Sequence, residues 1–289
     1  MMRIAITGAR GTVGREVVKL CSQEGHATVQ INRTEQKHDG TPNSEMRTAD
    51  ASSDYDATLE AFKGCDAVIH LAAIPDPVGK PDHAVHSNNV NSAFNGLRAA
   101  AELGIRRFCY ASSVNAIGLA YANRPLAFPY FPVDEEAYPT DPTDAYALAK
   151  REAEVAAKAF ARWFPFMRIA CLRIHEVANR SPVRDEHAQN WEDAGVKQLW
   201  GWVSPVATAR ACLLSVTAEG RDGFKEGSCE IFNIVAPDTT QDTPSTELAK
   251  KYYADTELRD DKQSWDRNRS FWSTEKAQRM LGWVHHEKE

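Results

Sequence analysis

No run of eighteen apolar residues occurs anywhere in this chain of 289 residues, so it holds no candidate membrane span, which needs about 20. No Cys-x-x-Cys pair occurs among its six cysteines, Cys21, Cys65, Cys109, Cys171, Cys212 and Cys229. Cys109 and Cys171 sit inside apolar, strand-like runs, so buried reduced thiols are expected rather than bridges. His83 and His86 form a His-x-x-His, but no acidic or cysteine partner stands at metal-site spacing. They read as loop or helix-start histidines, and no metal is expected. Positive charge is in deficit, with 34 Lys and Arg against 40 Asp and Glu and a net charge of −6, which argues against a nucleic-acid partner. The opening MMRIAITGARGTVG lacks the apolar core and small-residue cleavage site of a signal peptide, so a cytoplasmic protein is expected. Internal repeats and low-complexity tracts are missing too.

What remains is the composition of a soluble globular protein, 43% hydrophobic and 26% charged, which excludes disorder and a collagen-like chain. A chain this long buries roughly 75% of its unfolded surface and needs no disulfide or metal staple. One large domain, or two intimately packed ones, is expected.

The pattern alternates strand and helix. Strands are predicted at Arg3–Thr7, Ala27–Ile31, Met46–Ala49, Ala67–Ala72, Arg107–Ala111, Met167–Arg173 and Glu230–Val235. Helices are predicted at Gly14–Gly25, Asp54–Phe62, Asp82–Leu103, Ala145–Trp163 and Val206–Ala218. Such alternation predicts right-handed βαβ units and an α/β fold, a Rossmann-type doubly wound parallel sheet. From His175 to about Trp200 the chain turns polar and loses its periodicity, and the last fifty residues hold short helical patterns. The expected organisation is a dinucleotide-binding domain over 1–174, rejoined by 203–236. A small C-terminal substrate-binding lobe would be made of 175–202 and 237–289, over the carboxyl edge of the sheet.

Thr7-Gly8-Ala9-Arg10-Gly11-Thr12-Val13-Gly14 follows a strand and opens a helix. Gly8 permits the tight turn, Gly11 lets the backbone approach a pyrophosphate, and Gly14 lets helix and strand pack closely. The free N–H groups of the helix would face the phosphates. The second strand ends Gln30-Ile31-Asn32-Arg33, placing Arg33 where an acid would hold the 2′-hydroxyl of NAD. Arg33 and Arg10 suit a 2′-phosphate instead, so NADP is expected over NAD; two solvated surface arginines are the alternative.

Tyr146 and Lys150 lie four apart after the helix-start signal Pro142-Thr143-Asp144, on one helical face. A phenol with a pKa near 10 becomes a base at neutral pH only if it drops by about three units, roughly 4 kcal/mol of differential stabilisation. A nearby cation and a charged nicotinamide both favour the phenolate. At a strand end, Ser112-Ser113 offers hydroxyls that could hold a substrate oxygen while Tyr146 exchanges its proton.

TGARGTVG at 7–14, His70-Leu-Ala-Ala73, Asn88-Asn89-Val-Asn91, SSVNAIG at 112–118, Tyr146 with Lys150, Leu172-Arg173 and the closing TEKAQRMLGW at 274–283 carry a resemblance across nearly the whole chain. The chain resembles the extended short-chain dehydrogenases/reductases, also called the NAD-dependent epimerase/dehydratase family. The resemblance implies that Ser113 is the catalytic serine and Tyr146 the general acid/base. Lys150 would hold the nicotinamide ribose and lower the Tyr146 pKa. Asp50, with Ala51 beside it, would contact adenine; Leu71, Ala72 and Ala73 would line the cofactor, as would Thr12 and Val13 in the loop and Ile174 and His175 at a late strand end. Asn88 or Asn89 would reach the nicotinamide ribose. Ser112, Ser113, Val114, Asn115 and Tyr146 would face the substrate.

Within that family the chain is most similar to compact uronate dehydrogenases. Lys197, five residues before Trp202, falls where those enzymes use an arginine for the substrate carboxylate, with a solvated lysine as the other reading. Their preference for NAD departs from what Arg33 implies. The leading expectation is an NADP-linked oxidoreductase of a small alcohol or carbonyl compound. Other readings are an epimerase or dehydratase that retains its NAD(P), a uronate-type dehydrogenase, and a dinucleotide-sensing regulator without chemistry. Aromatic residues Tyr121, Phe128, Tyr130, Phe131, Trp191, Trp200 and Trp202 could line a pocket or pack. The family also implies a homodimer through the two long helices.

Overall fold

The computed structural model describes residues 1–35, 37–124, 126–136, 141–179, 194–219, 224–259, 265 and 267–286. Trp191 and most of the polar stretch after His175 lie outside them.

The chain runs β1 (Arg3–Thr7), α1 (Thr12–Gln23), β2 (Ala27–Asn32), β3 (Ser44–Thr48), α2 (Tyr55–Phe62), β4 (Ala67–His70), α3 (Asp82–Glu102) and β5 (Arg107–Ser113). A 3₁₀ turn at Val114–Ile117 leads to β6 (Tyr130–Phe131), α4 (Ala145–Trp163), β7 (Arg168–Ile174), α5 (Ala194–Lys197), α6 (Pro205–Thr217) and β8 (Cys229–Ile234). The last elements are α7 (Ser245–Tyr252), β9 (Glu257–Leu258) and α8 (Glu275–Leu281). Seven strands pair in parallel in the order β3-β2-β1-β4-β5-β7-β8. All seven residues of β7 are buried, the signature of a strand with helices on both faces. The expected doubly wound α/β sheet is present, and the order reverses between β1 and β4.

Local chemistry sets the helix starts. Asp54 caps α2 by accepting from the Ala57 N–H, Asp144 caps α4 through Ala147, and Ser204 caps α6 through Ala207 with Pro205 at the first helical position. α8 ends on Gly282 in the left-handed conformation. Most strand ends shift by one or two residues from the sequence reading, and two of these shifts shape the cleft. β4 stops at His70, two residues early, because the Leu71 and Ala72 N–H groups turn to the Thr7 hydroxyl at 3.0 and 3.1 Å. β5 continues through Ser112 and Ser113, paired with Arg173 and Ile174.

One apolar layer joins β-strand residues such as Ile4, Ile6 and Leu172 to α1, α6 and α8. The other packs Val29, Phe108 and Ile169 against α2, α3 and α4. A third cluster joins Ile117, Phe128, Phe131, Leu199, Trp200, Leu248, Trp265, Phe271 and Trp272. This cluster draws on the segment after β5 as well as on late segments, while α8 and Trp283 pack on the sheet. Among the candidate pocket aromatics, Phe128, Phe131 and Trp200 are packing residues, and Trp202 donates to Asp238. The cysteines are free thiols. His86 bonds Glu152 of α4 at 2.9 Å, and the described residues contain no cluster of metal-binding side chains. No helix among them is long and apolar enough to cross a membrane.

A buried charge network ties α4 to the sheet. Glu154 and Arg173 are fully buried, and Arg173 donates from Nε and Nη2 to the two Glu154 carboxylate oxygens at 2.9 and 2.8 Å. Removing one partner of such a pair strands the other charge in a medium that solvates it poorly. Glu154→Ala should lower the unfolding free energy by about 3–5 kcal/mol, read from urea denaturation of the two proteins; a loss below about 1 kcal/mol would refute the account.

Candidate active site

At the β1/β4 switch point the loops after the two strands diverge and open a cleft of about 960 Å³ along the carboxyl edge of the sheet. Gly8 takes φ +65°, and a Cβ there would meet the Leu71 and Ala72 backbone at 3.1–3.2 Å. Gly14 is tighter still, since its Cβ would stand 2.4 Å from the Gly8 carbonyl oxygen. A Cβ on Gly11 would meet only that same oxygen, at 3.3 Å, so the loop presents bare backbone to the cleft. The first turn of α1 contains no acidic residue, and no side chain caps it. Free N–H groups, a positive helix end and open space fit a dinucleotide pyrophosphate.

Gly8, Arg10, Gly11, Thr12, Val13 and Gly14 all line the cleft, with Asn32, Arg33, Asp50 and Ala51 at its far end. Asn32 accepts the Arg10 N–H at 3.1 Å, and the Arg10 guanidinium reaches the Thr34 hydroxyl at 2.7 Å. Burial would push the Asp50 carboxyl up, but the Ser52 hydroxyl and N–H and the Arg33 charge hold it below its ordinary value. Leu71, Ala72, Ala73, Ile174 and His175 line the middle. Of the asparagine pair, Asn88 lines the cleft. Asn89 is buried and engaged elsewhere, accepting from the Ile74 N–H at 2.7 Å and donating to the Ile74 carbonyl at 3.0 Å.

Ser113, Val114, Asn115, Tyr146 and Lys150 converge at the other end. Burial pushes the Tyr146 phenol above its ordinary value, opposed by the Ser113 hydroxyl. Lys150 lies 5.0 Å from the Tyr110 ring centroid and 5.7 Å from that of Tyr146, and it donates to the Ala111 carbonyl at 2.5 Å. Burial lowers its pKa to about 8, with the Glu154 charge acting against the fall.

Two of the expected substrate residues have polar partners of their own. Ser112 reaches the cleft wall, but its hydroxyl donates to Glu154 at 2.7 Å; adjacent strand residues face opposite ways, so only one of the two serines can turn toward Tyr146. Lys197 is not part of the wall, because its ammonium is drawn to the Ala122 carbonyl at 3.0 Å. Gln198 takes the wall position, with Tyr121, Glu176, Ile74, Pro75 and Lys80. Of these, only Tyr121 was among the sequence candidates. Gln198 sits in a stretch with no periodicity or motif, which left nothing to find it by.

The model of the NAD dependent epimerase/dehydratase family matches residues 4–190. The chain belongs to that family. It is 35% identical over 128 residues to L-arabinose 1-dehydrogenase (NAD(P)(+)) of Haloferax volcanii, covering 43% of this chain and 47% of that protein. It is 31% identical over 176 residues to GDP-mannose 3,5-epimerase 1 of Oryza sativa subsp. japonica, covering 56% of this chain and 43% of that protein. The chain thus matches under half the length of these curated relatives. Among solved structures, a mutated uronate dehydrogenase superposes with TM-score 0.66 at 21% identity, over 99% of this chain and 82% of that one. A short-chain dehydrogenase/reductase superfamily protein from Agrobacterium tumefaciens with bound NAD gives 0.69 at 20% identity, over 98% and 92%. At such identities these two speak for the fold alone.

In this family member the cleft is framed by two buried histidines. The Thr7 hydroxyl, which accepts two N–H groups, donates to His70 Nδ1 at 3.0 Å. The proton of His70 is therefore on Nε2 and goes to the Ser92 hydroxyl at 3.1 Å, which donates to the Ala72 carbonyl at 2.9 Å. Burial, aided by the Lys150 charge, lowers the His70 pKa to about 3. Burial lowers that of His175 to about 4, against the hydrogen bond to the Gln198 carbonyl. Both imidazoles take up protons in the unfolded chain near pH 6.5 but not in the folded one. Their stabilisation is complete above pH 6.5 and is lost as the pH falls toward 4. Stability at pH 4.5 should be lower by about 2–3 kcal/mol for each histidine, and urea denaturation of His70→Asn across this range should show its share removed.

Proposed function

We propose that this chain is an NADP-linked oxidoreductase that moves a hydride between the nicotinamide and a small hydroxylated or carbonyl substrate. The observation that carries the reading is the convergence of Ser113, Tyr146 and Lys150 at one end of a cleft whose other end holds Arg10 and Arg33. Family membership supports a nicotinamide dinucleotide, and the two guanidinium groups favour the 2′-phosphorylated form.

When bound, the nicotinamide supplies the hydride acceptor or donor. Ser113 orients the substrate oxygen. Tyr146 gives that oxygen its proton during reduction and takes it back during oxidation. A phenol held protonated by burial suits the first role. In the second, the Lys150 ammonium would act against burial and favour the phenolate. Lys150, held by the Ala111 carbonyl, would hold the nicotinamide ribose, and Asn88 would reach the same ribose from α3.

Similarity to a GDP-mannose 3,5-epimerase favours a second reading, in which the hydride returns to the substrate it came from. Mass analysis of nicotinamide released on denaturation separates the two. An empty, readily loaded site supports net redox chemistry, and a stoichiometric cofactor that resists exchange supports the epimerase.

Tyr146→Phe should lower kcat by at least 10²-fold, the low end of the range for a lost acid–base group, with the NADPH dissociation constant changed by less than about threefold. Retention of most of the rate would sink the assignment of the proton to Tyr146. Arg33→Asp should reverse the NADPH/NADH preference in fluorescence titrations; an unchanged ratio would remove the argument for NADP.

A further inference from the structure

The two ends of the cleft differ in charge. Arg10 and Arg33 stand at the nucleotide end. Beyond Ser113, Tyr146 and Lys150, the polar residues of the described wall include Lys80, Asn115, Tyr121, Glu176 and Gln198. Lys80 is neutralised by Asp76 at 2.6 Å. Lys197 is drawn off the wall toward the Ala122 carbonyl. Glu176 is exposed at the mouth and makes no ion pair with a described residue. Burial pushes the Tyr121 phenol up, and the charges of Asp76, Asp144 and Glu176 push the same way. Beyond the buried Lys150, the uncompensated charge that the described residues place at the mouth is the Glu176 carboxylate, which disfavours a second anion there.

The same end contains an unusually constrained turn. Leu199 and Trp200 are buried, and both are left-handed, at φ 56° and 49°, a conformation that is strained for a residue bearing a side chain. Neighbours over-determine it. His175, whose Nδ1 accepts the Glu176 N–H at 2.7 Å, must carry its proton on Nε2 and donates it to the Gln198 carbonyl at 2.9 Å. Gly201 is pressed onto the His175 ring, where a Cβ would stand 2.6 Å away. The Tyr253 hydroxyl donates to the Val196 carbonyl at 2.7 Å, and Thr240 N–H to that of Trp200 at 2.9 Å. The residue that this strain delivers to the cleft is Gln198. Its amide bonds no described residue and offers both a donor and an acceptor.

We propose that the reacting end takes an uncharged polyhydroxylated molecule, an aldose or polyol, and that Gln198 is a specificity-determining residue that hydrogen-bonds one of its hydroxyls. A hydroxyl is donor and acceptor at once and pairs with both ends of the amide, while a carboxylate or phosphate is an acceptor alone. Glu176 supplies the discrimination against such anions. This inference rests on the oxidoreductase reading of the site.

The test is steady-state reduction of NADP⁺ with L-arabinose, D-xylose, D-glucuronate and UDP-glucose by the whole chain, its Gln198→Leu and Glu176→Gln variants, and NADPH titration of each. A neutral sugar should exceed both anions at least tenfold in kcat/KM, and Glu176→Gln should narrow that margin severalfold. Gln198→Leu should raise the KM of the preferred neutral sugar about tenfold while NADPH binding stays within twofold, which also certifies its fold. Preference for glucuronate or UDP-glucose overturns the proposal. So does a failure to oxidise either neutral sugar, or a Gln198→Leu variant of unchanged KM. In each of these cases intact NADPH binding leaves the oxidoreductase reading standing; loss of NADPH binding by the unaltered chain would take both down.

Discussion

One hydroxyl holds the switch point of the sheet. Thr7 is the last residue of β1, and its oxygen receives the Leu71 and Ala72 N–H groups just as β4 ends. That pair of bonds stops β4 from pairing further and brings the two diverging loops within van der Waals reach, so that Gly8 passes over the Leu71–Ala72 backbone without room for a side chain. The rest of the phosphate cradle follows from this closeness. With Gly8 pinned, α1 starts against its carbonyl only if residue 14 has no Cβ. The helix N-terminus then opens toward the cleft rather than into the loop. Thr7 has one proton left to give, and His70 takes it. A charged His70 would have no lone pair to receive that proton, so the buried imidazole must stay neutral for the switch point to close.

The chemistry end depends on alternation along β5. Ser113 turns to Tyr146, so Ser112 faces the other way, into the Glu154–Arg173 pair. The two adjacent serines therefore do unlike work: one hydroxyl serves the cleft, and the other completes the solvation of a buried carboxylate. Glu154 stands one helical turn after Lys150, and its charge resists the fall in pKa that burial imposes on that ammonium. Ala111, the residue before the serines, gives its carbonyl to Lys150. Three consecutive positions of one strand thus organise the lysine, its compensating carboxylate and the hydroxyl beside the tyrosine.

Features governed by backbone geometry were legible in the sequence. The glycines of 7–14, the helix start at Pro142-Thr143-Asp144, and the strand runs with their intervening helices each follow from a local rule that allows few residue types. Position on the helix face placed Tyr146 and Lys150 together. What escaped depended on partners distant in sequence. Nothing in Asn88-Asn89 says which amide will be consumed by Ile74. Lys197 looks like an available cation until the segment after β5 folds back to offer Ala122. The turn at Leu199–Trp200 runs against the expectation that a left-handed residue will be glycine, so residue preference points away from the conformation that tertiary contacts impose.

The two buried histidines show how such contacts are made reliable. Each stands at the end of a strand or one residue beyond it, His70 closing β4 and His175 following β7. Each accepts at Nδ1 and therefore donates from Nε2. An imidazole in this state is a planar spacer with a fixed acceptor and a fixed donor on opposite edges, and burial keeps it from gaining a second proton. Both are seated against glycine, His70 under Gly96 and His175 against Gly201. His70 links β1 to the loop that lines the cofactor, and His175 links β7 to the turn that presents Gln198. Two walls of the cleft are thereby referenced to the same sheet, although they come from separate parts of the chain. A cleft whose walls are tied to strand ends in this way has the rigidity that the proposed hydride transfer would require.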